Sequence, residues 1–434
     1  MTAPVAKISL FTAITVVVAN MVGTGIFGSL GFQVLGLPSG FPILLLWIIG
    51  GVLAFCGAVC YAELGSMMPR SGGEYHLLRE TYHPLVGFLA GWVSVTIGFA
   101  APIALNASLL GGYMSQITEF DSRLFSVPVV ILVTAIHLAS LSKISRFQIV
   151  LTTAKIVLIL VLAAAAFVIG TAQPVSFLPK SGDGELIASS AFATSLVYVL
   201  YAYTGWNAAV YIVGEMKDPQ RNLPLAMLIG AGFVTVIYVL LNAAFLYATP
   251  ISEMAGEAEV GLVAARSIFG DRGGMWMGVL ISFGLISTIS SMTWAGPRAT
   301  ATIGEDYGAF SFFKKRNSNG IPARAVLLQG VIVLVLLLVS DFESLIHYTQ
   351  AVLTISATMV VLGVIWMRIK KPNATRTYRA WGYPVTPLIF IVFSIYVLFF
   401  QIQEKPKEFF LGLGTLAIGA VVYFLVRRGK SSNS

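Results

Sequence analysis

Asn20-Met21-Val22-Gly23-Thr24-Gly25-Ile26-Phe27-Gly28 places three glycines inside the first apolar stretch of the chain. A helix in lipid must satisfy every backbone group internally, so such an interruption survives only where it is enclosed by protein or lines a cavity. A second interruption, Tyr201-Ala202-Tyr203-Thr204-Gly205-Trp206-Asn207, falls near the start of the second half of the chain. Paired breaks at corresponding places of two halves point to a solute site near the membrane midplane.

The composition requires a membrane. Hydrophobic residues make up 57% of the chain and charged residues 11%, against roughly 25% charged in soluble domains. Apolar windows of bilayer-spanning length fall at 8–35, 41–63, 84–115, 127–142, 147–170, 187–212, 223–248, 274–303, 324–340, 345–367, 384–402 and 409–426. The expected fold is an all-α integral membrane protein of about twelve transmembrane helices, the first and sixth broken. Of the 27 Lys and Arg residues, 20 lie on the N-terminal side of these spans, 6 on the other, and Lys155 lies within one. That asymmetry predicts cytoplasmic termini. The net charge of +8 reads as attraction to a membrane surface, not to nucleic acid. The first span has no clear basic n-region or small-residue cleavage site, so it is expected to be retained, not removed as a signal peptide.

Other readings of the same residues fail on context. Gly23-x-Gly25-x-x-Gly28 fits a dinucleotide-binding pattern, but no βαβ unit surrounds it and the next acid is Glu63, too far on for the ribose carboxylate. Cys56 and Cys60 sit one helical turn apart inside a span and read as packing residues. His76, His83, His137 and His347 are scattered without ligand spacing, so no metal, cofactor or intramembrane catalytic centre is expected. Nothing resembles a channel filter or a ring of charges.

A broken helix offers free N–H groups at the start of its second half and free C=O groups at the end of its first. The amides of Thr24, Gly25 and Ile26 suit a carboxylate, and carbonyls of Met21, Tyr201 and Thr204 suit an ammonium. A zwitterion is matched without any charged side chain. Lys155 lies nine residues after Arg146, about 14 Å along a helix and so near the middle of the hydrocarbon. An intramembrane lysine is by default functional. Acids are expected at the ends of spans only: Glu63 ends the second and Glu215 follows the sixth. That pattern favours neutral solutes, with cation–π contact to Tyr201 or Trp206 leaving cationic ones open. Glu63, Arg70, Glu74, Arg79, Lys217, Asp218 and Arg221 cluster at the cytoplasmic ends of spans two, three and six, where they either close an inner gate or fix topology in the headgroups.

Several motifs together resemble the amino acid–polyamine–organocation superfamily, with L-type amino acid transporters and bacterial amino acid permeases closest. They are Gly23-Thr24-Gly25-Ile26-Phe27, Tyr61-Ala62-Glu63-Leu64, Pro69-Arg70-Ser71-Gly72-Gly73-Glu74-Tyr75, Tyr203-Thr204-Gly205-Trp206-Asn207, Gly214-Glu215 through Asn222-Leu223-Pro224, Trp294-Ala295-Gly296-Pro297-Arg298 and Tyr378-Arg379-Ala380-Trp381-Gly382-Tyr383-Pro384.

The resemblance implies a LeuT-type fold within one transporter domain. Residues 8–170 and 187–370 would be inverted repeats and 384–427 two peripheral helices. By the same resemblance the substrate carboxylate meets Thr24 and Gly25, its amine meets carbonyls of Met21, Tyr201 and Thr204, Tyr201 acts as an outer gate, and Gly205, Trp206 and Asn207 flank the pocket. Lys155 looks like a replacement for the sodium ion of sodium-coupled relatives, reaching carbonyls near Ala19 or Val22 and a hydroxyl of Ser287, Ser290 or Ser291. A lysine that stays charged makes sodium dispensable; one that releases its proton couples transport to a proton gradient.

Thr204 stands where the family often has glycine and leans the expectation towards small neutral substrates. The stretch with Glu257, Glu259 and Arg266 matches an extracellular capping helix. The loop 116–123 lacks the cysteine that links eukaryotic relatives to a glycoprotein, so no disulfide-linked heavy subunit is expected. Overall the resemblance implies a plasma-membrane secondary transporter of amino acids, not an enzyme, working as a sodium-independent exchanger. The alternatives are a proton symporter using Lys155 and a carrier of cationic amino acids or polyamines.

Overall fold

The computed structural model describes residues 7–139, 141–339 and 342–431. Its helices are α1 (Leu10–Met21), α2 (Thr24–Gly36), α3 (Gly40–Met67), α4 (Glu74–Thr81), α5 (Pro84–Val93), α6 (Ala100–Thr118), α7 (Arg123–Ile136), α8 (Leu141–Ile169), α9 (Asp183–Ile187), α10 (Ser190–Tyr203), α11 (Ala208–Tyr211), α12 (Pro219–Ala248), α13 (Ile251–Met254), α14 (Val260–Asp306), α15 (Ala323–Val339), α16 (Phe342–Lys370), α17 (Val385–Glu404) and α18 (Pro406–Ser431). A π-helical turn, Ser94–Gly98, joins α5 to α6. Among the described residues the one extended pairing outside helices is a parallel bridge between Ile8 and Met216. The chain is thus an all-helical, multi-pass membrane protein: among the described residues nine helical stretches have the length and apolarity to cross a bilayer, and α7, α10 and α15 are shorter apolar helices.

Both expected breaks are present. α1 is capped at its start by Ser9, whose hydroxyl accepts from the Thr12 amide at 3.2 Å, and it stops at Met21. α2 restarts at Thr24 after the extended Gly23. α10 stops at Tyr203, and the chain re-forms only the four-residue α11 and a short 3-10 turn before Met216. Two glycines let the breaks touch. A Cβ on Gly25 would lie 2.3 Å from the Cα of Ala202, and one on Gly205 would lie 2.8 Å from the backbone carbon of Asn20. Gly205 also holds φ at +100°, a conformation that side chains resist.

Two boundaries differ from expectation. The fourth span ends at Ile136, leaving His137 beyond its C-terminus. The eighth span belongs to a longer helical run from Val260, bent at Gly270 (φ 71°). Its first part carries Arg266, and the preceding segment packs on α2 through Gly256 N–H to Gly31 O at 2.9 Å. Burial within the protein falls from 83% in the broken first span to 28% and 17% in α17 and α18, so the last two helices lie at the periphery. Val150, Val157, Ile395, Phe399 and Leu425 are exposed, as lipid-facing side chains are. Arg428 and Lys430, counted with the basic side, have side chains outside those described.

Candidate functional site

Between the ends of the broken helices lies a small cleft with a cavity volume of about 10 Å³, lined by Met21, Thr24, Gly25, Tyr201 and Thr204. Thr24 Oγ1 lies 3.3 Å from the Tyr201 hydroxyl, which ties α2 to the end of α10. Gly25 and Ile26 occupy the first turn of α2, where amides have no partner within the helix. The Thr24 amide is already engaged: it donates to Asn106 Oδ1 of α6 at 3.1 Å. On the carbonyl side, Thr204 folds back on Tyr201 O through its amide at 3.0 Å and its hydroxyl at 2.6 Å. The Tyr238 hydroxyl of α12 lies 2.5 Å from Met21 O and 2.9 Å from Ala202 O, within donating reach of either. Asn106 and Tyr238 were not foreseen from sequence; each is a single polar group on a largely apolar helix, a weak signal.

Below the first break, Lys155 of α8 is 1% exposed. Its Nζ donates to Val22 O at 2.5 Å, Ala19 O at 3.4 Å and Thr288 Oγ1 at 2.9 Å. The hydroxyl is therefore that of Thr288, and the expectation of Ser287, Ser290 or Ser291 is corrected. Helical phase gives the reason: successive residues of α14 point about 100° apart. Ser287 faces Gln148 and Thr152, Ser290 lies 2.9 Å from His137 Nε2, and Ser291 meets Asn20 and Val16 O.

Trp206 and Asn207 line a second, larger cavity of about 90 Å³ that shares Asn20, Thr204 and Met292 with the first. Trp206 packs edge-on against Tyr61 with ring centres 4.6 Å apart. Asn207 Nδ2 donates to Glu74 Oε1 at 2.9 Å, and the Tyr61 hydroxyl donates to the same oxygen at 2.6 Å. Glu74 is 2% exposed. Burial pushes its carboxyl up to about 7 even though both hydrogen bonds favour the charged form. An acid does therefore line the cavity. It arrives on α4, outside the spans, where the sequence gives no sign that a carboxylate reaches the cavity.

The remaining charges on the N-terminal face divide into three groups. Arg70 bonds Asp306 at 3.0 Å and Glu305 at 3.1 Å, and Arg79 and Tyr75 join Asp306. Glu63, fully buried inside α3, holds Arg368 at 2.6 Å, Arg376 at 3.1 Å and the Ala380 amide at 2.7 Å. Glu215 pairs with Arg298 at 2.9 Å and accepts from the Trp294 indole at 3.1 Å. Lys217, Asp218 and Arg221 enter none of the ion pairs among the described residues. Cys56 and Cys60 are free and buried. Among the described residues no cluster of three or more His, Cys, Asp or Glu is arranged to hold a metal ion.

Two interrupted helices whose freed backbone groups face a cleft between them, set in a multi-pass helical bundle, define a membrane carrier for a small solute. The sequence profile of the amino acid permease family matches residues 8–424, and the chain belongs to that family of amino acid transporters, which are not enzymes. It is 27% identical to the b(0,+)-type amino acid transporter 1 of Rattus norvegicus, over 96% of this chain and 87% of that one. It is 28% identical to the large neutral amino acids transporter small subunit 2 of Homo sapiens, over 96% and 80%.

Proposed function

We propose that the protein exchanges small neutral L-amino acids across the cell membrane without sodium, by alternating access, with both termini in the cytoplasm. One observation supports the sodium independence. Lys155 Nζ lies where α1, α8 and α14 meet, bonded to Val22 O and Thr288 Oγ1, so an ammonium there would join these helices in place of a sodium ion. The substrate carboxylate would sit on the Gly25 and Ile26 amides and the Thr24 hydroxyl. Its ammonium would share the Met21 and Thr204 carbonyls, and would reach Tyr201 O by replacing one of the two bonds that oxygen accepts from Thr204. Tyr201 would close over the substrate, and Thr204 would limit its size. Residues 8–170 and 187–370 would form the two inverted repeats, with 384–427 peripheral. The loop 116–123 has no cysteine, in keeping with transport without a disulfide-linked heavy subunit.

Glu74 favours a second reading, in which a cationic side chain extends from the broken helices into the larger cavity. Both are tested by radiolabelled alanine and arginine uptake into sodium-free proteoliposomes at equal pH on both sides. Uptake of alanine only into alanine-preloaded vesicles supports exchange of small neutral substrates. Equal uptake into empty vesicles rejects obligatory exchange, and arginine competing as well as alanine favours the second reading.

A further inference from the structure

A groove opens on the N-terminal face between the segment leading into α1 and the start of α8. Its polar wall carries Lys7, Ser9, Ser145 and Arg146, and its apolar floor continues into Ile149 and Val150. The segment is held in place by Ile8 N–H to Glu215 O at 2.8 Å and Lys217 N–H to Ile8 O at 3.0 Å. Lys217 is thereby drawn to the same corner as Lys7, Lys143 and Arg146. None of these four cations enters an ion pair among the described residues. The neighbouring acid Glu215 is turned inward to Arg298, the exposed Asp218 offsets at most the adjacent Lys217, and residues 1–6, Met-Thr-Ala-Pro-Val-Ala, contribute no carboxylate side chain. Val150 and Val157, 60% and 54% exposed, lie seven residues apart on one face of α8 and continue the groove along the bilayer.

We propose that this groove binds an anionic phospholipid of the adjacent leaflet, its phosphate between Lys7 and Arg146 and an acyl chain along Val150 and Val157. The charge balance selects that occupant: several unneutralised cations at headgroup depth attract an anionic headgroup, and the apolar floor excludes a free anion as the better fit. The consequence is regulatory. The same helix that begins at this groove ends at Met21, so a bound lipid holds the start of α1 against α8 and limits how freely α1 moves.

The test is native mass spectrometry and thermal melting of the full-length protein in micelles with added phosphatidylglycerol or phosphatidylcholine. The variant Lys7→Gln/Arg146→Gln is compared with Lys314→Gln/Lys315→Gln on the same face. The expected result is a phosphatidylglycerol adduct that raises the melting temperature of the wild type and of the 314/315 variant, and that is lost in the 7/146 variant. Equal adducts in both variants, or equal retention of phosphatidylcholine, overturn the proposal. Neither readout depends on which solute is carried.

Discussion

Lys155 Nζ lies 2.9 Å from Thr288 Oγ1, and Thr288 in turn donates to Val22 O at 2.6 Å. Two elements distant in sequence thus converge on Val22 O, the C-cap carbonyl of α1 inside the first break. A hydrogen bond to a charged group contributes about 1.5–3 kcal/mol. Thr288→Val keeps the shape and removes both bonds, so it is expected to cut transport about tenfold or more, with Ser287→Ala and Ser290→Ala near wild type. Initial uptake rates at matched protein density check this. Serine variants as damaging as Thr288→Val would remove Thr288 from its special position.

Lys155→Ala removes the ammonium itself and leaves the Val22 and Ala19 carbonyls without their buried donor. Transport in sodium-free buffer is expected to fall to background. Restoration by external sodium, measured in the same vesicles, would indicate that a cation at this junction is what the helices require.

At Gly25 the backbone of α2 runs against Ala202. Alanine there forces the two breaks apart, an overpacking that costs about 1–3 kcal/mol. Gly25→Ala and Gly205→Ala should each lower the melting temperature and abolish substrate-induced stabilisation. Gly232→Ala, where an added Cβ meets nothing within 4 Å, should leave both unchanged.

How much of this was legible in the sequence follows from what each residue leaves there. Glycines inside an apolar run and a lysine in mid-span violate the rules of a lipid-facing helix, so Gly23, Gly25, Gly205 and Lys155 marked the two breaks and the candidate site directly. Thr288 did not stand out, because Ser287, Ser290 and Ser291 share its chemistry and only the rotation of α14 separates them. Glu74 was hidden differently: its polar neighbours suggest a headgroup segment, and only the packing of α4 beneath Asn207 buries it. The charges at the ends of spans two, three and six read either as an inner gate or as headgroup anchors, and neither reading included Asp306, which at the far end of α14 pairs with Arg70 and Arg79. Sequence order gave no sign of that.

Glu74 makes stability depend on pH with a definite sign. Its carboxyl is raised from 4.5 to about 7 by burial, so between those values the folded protein holds a proton that the unfolded chain has lost. Stability is therefore highest below about 4.5 and declines as pH rises to about 7, beyond which the loss is complete. Melting temperatures of wild type and Glu74→Gln between pH 5 and 8 check it. The wild type should lose more than the variant across that range, and parallel curves would show that Glu74 is not the titrating group.

Tyr238 supplies one hydroxyl to two carbonyls, Met21 O and Ala202 O, that belong to different broken helices. The ring is fully buried and packs edge-on against Trp47 at 5.3 Å, so Tyr238→Phe removes the oxygen and leaves the packing. The fold should survive, with stability reduced by about 1 kcal/mol for the lost bond. Transport should fall much further if Met21 O is one of the proposed acceptors of the substrate ammonium, because Tyr238 holds that carbonyl in place. A rise in the apparent KM for alanine with little change in maximal rate would place the loss in binding. A fall in maximal rate at unchanged KM would instead assign Tyr238 to the movement of the two helices past each other.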